Sequence, residues 1–153
     1  MKSIELKTKE IAAAYGIINA AKYQKLSDDD KVKVWKISRK LSPIAEQYEK
    51  DIEDARQKLT PSEDFSQKLQ KAIHYQNLKE DDDKESLMSE EEYRKIVVEW
   101  NNYNSLLDKA LKELAEKKIA IEVDAITEEA FGKLMASNDW SFEQVGKLEF
   151  MIG

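Results

Sequence analysis

Residues 89–118 read SEEEYRKIVVEWNNYNSLLDKALKELAEKK, and their spacing decides the fold. Tyr93, Ile96, Trp100, Tyr103, Leu107, Ala110 and Leu114 recur at alternating steps of three and four. That spacing gathers them in one seam of a helix that packs lengthwise on another. No Gly or Pro interrupts the run, and Ser89 with Glu92 has the spacing of a capping box. A helix is therefore predicted over 90–117.

A second long helix is predicted over 28–59. Ser27 precedes Asp28, Asp29 and Asp30, and acids in a first turn complement the positive end of the helix dipole. Val34, Ile37, Leu41, Ile44, Ala45, Tyr48, Ile52, Ala55 and Leu59 then fall within about 100° of arc. The stripe runs straight through Pro43, so one helix kinked at Pro43 is expected rather than two helices. The two legs would be roughly 48 Å and 42 Å long, which suits a packed pair. Val32, Trp35 and Arg39 lie on the opposite side, in the first half only. A helix over Thr8–Tyr23, with Thr8 as its cap, is expected to cover them.

Ile4 and Leu6 alternate with charged residues, as do Ile119, Ile121 and Val123. Lone strands leave backbone groups unpaired, so segments 3–7 and 119–124 are expected to pair as a small sheet. Thr60-Pro61-Ser62-Glu63 signals a helix start whose face is Phe65, Leu69, Ala72, Ile73 and Gln76. Thr127, and Ser141 with Gln144, cap a C-terminal helical hairpin over 127–152, with Phe142, Val145, Leu148 and Ile152 as the second helix's face. The expected class is mainly α (α+β): a helical bundle with two long packed helices and a two-stranded sheet. At 153 residues a single domain is expected.

With only six Gly and Pro together, a turn-rich β-sandwich is excluded. There is no Cys, hence no disulfide and no thiolate chemistry. No apolar run is long enough to span a membrane. The net charge of −6 divides unevenly: residues 1–60 carry 13 Lys/Arg against 10 Asp/Glu, and residues 61–153 carry 12 against 21.

The acid concentrates in Glu80–Glu92, read as an acidic loop over 80–88. Such a block is usually a solvated surface. Its functional alternative is a docking site for a basic partner, with Asp81, Asp82, Asp83 and Glu85 as candidate contacts. Trp140 and Phe150 of the C-terminal hairpin are candidates for a second partner surface. Asp81, Asp83, Glu85 and Glu92 mimic calcium-loop positions, but Ser86 stands where the sharp turn needs Gly. Lys33, Lys36 and Lys40 share a helix face beside Trp35 and form an alternative, nucleic-acid-contacting face. A pI near 5 works against that alternative. His74 is the sole His and lacks an identifiable partner for acid–base work. The hairpin has helix-turn-helix lengths, but Glu143 and Glu149 on its second helix suit packing better than DNA. No catalytic residue, cofactor or metal is expected.

The chain resembles a family of small, uncharacterised proteins of tailed bacteriophages and prophages. The resemblance rests on Ile4-Glu5-Leu6-Lys7-Thr8-Lys9-Glu10 and on Lys36-Ile37-Ser38-Arg39-Lys40-Leu41-Ser42-Pro43-Ile44 with Ala55-Arg56-Gln57-Lys58-Leu59. It rests also on Ile121-Glu122-Val123-Asp124 with Leu148-Glu149-Phe150-Met151-Ile152. It implies a phage-encoded protein of the bacterial host cytoplasm, with virion association open, and carries over no activity or site residue. The function expected is a non-enzymatic accessory or assembly protein acting through a protein partner, phage or host. Homo-oligomer formation is compatible with this, and a membrane role is not expected.

Overall fold

The alternating residues at the two ends of the chain do pair. In the computed structural model, which describes residues 1–78 and 84–153, β1 (Lys2–Lys7) and β2 (Lys118–Val123) form a two-stranded antiparallel sheet. Ile4 lies opposite Ile121 and Leu6 opposite Ile119, so the apolar sets of both strands share a face. The rest is mainly helical: α1 (Thr8–Asn19), α2 (Asp28–Leu59), α3 (Phe65–Asn77), α4 (Glu90–Glu116), α5 (Glu128–Ser137) and α6 (Phe142–Leu148). Short 3-10 turns occupy Lys84–Ser86 and Glu149–Met151.

α2 and α4 are the two long packed helices of the fold. α2 crosses Pro43 without interruption. Leu114 and Lys117, at the end of α4 and just beyond it, share a groove with Pro43, Ile44, Gln47, Tyr48 and Asp51 of α2. The chain divides into two compact units, one made of Met1–Asp51 with Glu113–Gly153, the other of Ile52–Lys112.

The first unit holds the main core. Ile11, Ala14 and Ile18 of α1 meet Val34, Ile37 and Leu41 of α2, Ile121 and Val123 of β2, and Ala130, Phe131 and Leu134 of α5. Leu148 and Met151 close it from the C-terminus. A bridge pairs Ile126 with Ile152, and Ile126 N–H donates to the Met151 carbonyl at 2.8 Å. In the second unit Phe65 is buried against Trp100 and Tyr103, with ring centroids 6.4 and 5.7 Å away. Beside it Ala72, Met88 and Ile96 pack with Leu69, Tyr75 and Tyr93.

Local signals hold at most caps. Ser27 Oγ accepts from Asp30 N–H, Ser89 Oγ from Glu92 N–H, and Thr127 Oγ1 from Ala130 N–H. Ser141 and Gln144 form the full capping box. Three readings change. Thr8 does not cap α1; its hydroxyl donates across the fold to the Lys117 carbonyl at 2.7 Å. α3 starts at Phe65, and the Thr60 hydroxyl donates back to the Arg56 carbonyl at the end of α2 rather than capping α3. α1 ends at Asn19 and leaves Val32 47% and Trp35 55% exposed, so it does not cover that face of α2.

Candidate functional site

The first half of α2 is the most distinctive charged surface among the described residues. From Lys31 to Ala45 there are five Lys/Arg and no Asp or Glu. At 100° per residue the buried stripe takes one side, and Lys31, Trp35, Arg39, Lys36 and Lys40 succeed one another around the other. Arg39 lies over the Trp35 ring at 5.0 Å, a cation–π contact that holds the indole upright beside its neighbours.

Grooves flank this ridge on both sides. One, of about 280 Å³, is lined by Ile18, Asn19, Tyr23, Lys31, Val34, Trp35 and Ser38. The Tyr23 hydroxyl donates to the Ile18 carbonyl, and burial pushes its pKa up, since a phenolate there would lose its water. The other groove, of about 480 Å³, gathers Lys36, Arg39 and Lys40 opposite Val123 and Asp124. Lys40 Nζ donates to the Glu122 carbonyl, which fixes the side chain. Of the nucleic-acid candidates, Lys36 and Lys40 line this groove; Lys33 is half-buried outside its lining.

The hairpin candidates are placed differently. Trp140 is half-buried with its ring 6.3 Å from Phe131, and Phe150 is half-buried against the same core. Both therefore serve packing, with only part of each side chain free. The residue that the hairpin does present is Phe142, 91% exposed. Spacing alone grouped it with Leu148, yet at 100° per residue it lies about 120° from Leu148, outside the buried arc. That angle was the available signal.

Asp81, Asp82 and Asp83 lie outside the described residues, as does the side chain of Glu85, so the acidic docking site and the calcium-like spacing are not placed. The Asp64 carboxyl is held below its usual value by the Ser62 hydroxyl, donating at 2.7 Å, and by the Lys68 ammonium. His74 is exposed on α3.

α4 is the second surface of interest. Of its seven seam residues only Ile96 is buried; Tyr93, Tyr103, Leu107, Ala110 and Leu114 are half-buried, and Trp100 is 40% exposed. Val98 and Leu106, off the seam, are also exposed. Among the described residues no helix is long and apolar enough to cross a membrane, and no group of three metal-ligating side chains forms. Comparison of the chain with protein-family models, with curated proteins and with solved structures returns no match.

Proposed function

We propose that this protein is a non-enzymatic accessory or assembly protein of a bacteriophage or prophage, acting by binding another protein in the cytoplasm of the bacterial host. The observation that carries the reading is the α4 seam. A 27-residue helix with a clean apolar stripe buries one side chain of that stripe, Ile96, and leaves Trp100 partly in water. Apolar side chains left partly in water along a long helix are covered when the helix is laid against another chain. The sequence resemblance supplies the phage context.

The test is a density-gradient separation of a phage-producing lysate, with the protein followed by mass spectrometry beside its Trp100→Glu variant. The wild type travels with particles or with a defined phage or host protein, and the variant loses that association. A wild type that sediments alone in every fraction overturns the reading.

A second reading, nucleic-acid association through Lys36, Arg39 and Lys40, is favoured by their convergence on one groove. It expects a gel shift at low salt that weakens steeply as salt rises and is lost in Lys36→Glu/Lys40→Glu. No shift of DNA or RNA at low salt removes it.

A further inference from the structure

The first unit carries a knob and a hole of matching chemistry. The knob is Phe142, at the start of α6 and 91% exposed. The acids beside it, Asp139 and Glu143, are exposed too. Glu143 reaches Lys147 at 3.4 Å, while Asp139 makes no ion pair among the described residues. The hole is the pocket between α1 and α2, with Ile18, Tyr23, Val34 and Trp35 as apolar walls and Lys31 at its rim. Its about 280 Å³ falls just under the range of small-molecule sites, roughly 300–1,000 Å³, which leaves room for a single aromatic side chain. Lys31 opens the stretch that has no carboxylate from Lys31 to Ala45. The Lys31 ammonium reaches Asp28 at the limiting distance of 4.0 Å.

The turn before α6 is tied to the segment that leads from α1 into the hole. Asn138, four residues before Phe142, bonds both the N–H and the carbonyl of Lys22, the residue before Tyr23. Phe142 nevertheless stays in solvent and does not fill the pocket of its own chain. A knob and a hole of opposite charge on the same chain are self-complementary: a two-fold axis seats each knob in the other copy's hole.

We propose that the protein associates with a second copy of itself through this surface. Phe142 of each copy enters the Ile18–Tyr23–Val34–Trp35 pocket of the other, and Asp139 and Glu143 face Lys31 at its rim. Two reciprocal aromatic anchors, each rimmed by opposite charge, give such an interface its central contacts and its register. The proposal uses neither α4 nor the phage context, so its failure leaves the accessory-protein reading standing.

The experiment is sedimentation velocity on the full chain from nanomolar to high micromolar concentration. A monomer–dimer equilibrium is expected. Phe142→Ser should weaken it at least about tenfold, as truncation of a central aromatic anchor does. Ser38→Phe, which fills the hole from within, should act in the same direction. The side chain of Phe142 has few contacts to lose, so the serine variant should keep the wild-type circular dichroism and melting temperature.

A photoreactive benzoyl-phenylalanine at position 142, in a mixture of light and isotopically heavy protein, maps the contact without relying on those variants. Mixed-isotope crosslinks into residues 18–38 support the proposal. It is overturned by a wild type that is monomeric throughout, by a dimer that Phe142→Ser leaves intact, or by a ladder of larger oligomers. Crosslinks that land elsewhere on the chain, or only on a foreign protein, overturn it equally.

Discussion

Asn138 clasps Lys22 with both ends of its carboxamide. The Oδ1 accepts from Lys22 N–H at 2.8 Å and the Nδ2 donates to the Lys22 carbonyl at 3.0 Å. The same Nδ2 reaches the Leu134 carbonyl at 2.8 Å. One side chain thus ties the turn between α5 and α6 to the segment that follows α1. A net hydrogen bond contributes about 0.5–1.5 kcal/mol. Asn138→Ala is expected to destabilise the protein by about 1–3 kcal/mol in urea unfolding. Asn138→Asp keeps the acceptor but not the donor and should lose nearly as much. A change below about 0.5 kcal/mol, the size of an ordinary surface substitution, would show that the clasp is not formed.

Pro43 sits inside a continuous helix. It cannot donate to the carbonyl four residues back, and its ring crowds that carbonyl. Pro43→Ala is expected to raise the stability of α2 by about 1–3 kcal/mol, seen as a higher melting temperature. A lower melting temperature would mean that the groove shared with Tyr48, Leu114 and Ile119 depends on the proline ring.

Leu41 and Leu106 separate burial from periodicity. Leu41 is fully buried in the first unit, whereas Leu106 on α4 is 54% exposed. Leu41→Ala should cost about 2–5 kcal/mol. Leu106→Ala should stay within about 0.5 kcal/mol. Chemical denaturation of the two variants side by side checks this, and equal losses would contradict the placement of α4.

Two groups act at opposite ends of the pH range. The Asp64 carboxyl is held below its ordinary 3.8 by the Ser62 hydroxyl first and Lys68 second. The stability it contributes is therefore present above the unfolded value and is lost as pH falls through the folded one. Ser62→Ala should move the Asp64 titration upward in NMR. Tyr23 is shifted the other way, above its ordinary 10.0, by burial. Its folded state keeps the proton that the unfolded chain gives up, so stability is intact below about 10 and falls as pH rises through the folded pKa. Tyrosinate absorbance should show one late-titrating group, and Tyr23→Phe should remove it.

Local order set the elements in advance. Seven positions at steps of three and four defined α4, and an apolar arc persisting past Pro43 defined α2, because periodicity and caps depend only on residues within a turn or two. Ile4 and Ile121 could be matched because unpaired strands need partners. Placement of individual side chains was another matter. Thr8 looked like a cap and instead bonds the Lys117 carbonyl, 109 residues away. Ile73 and Phe142 fell at the edge of, or outside, the arcs they were counted in, and both face water. Trp140 looked free and packs on Phe131. The sequence by itself determined which segments are helix or strand and which face of each is apolar, since these are short-range preferences of the chain. Only the tertiary structure decided how much of each face is covered, and so which residues remain for a partner, because coverage depends on neighbours far along the sequence.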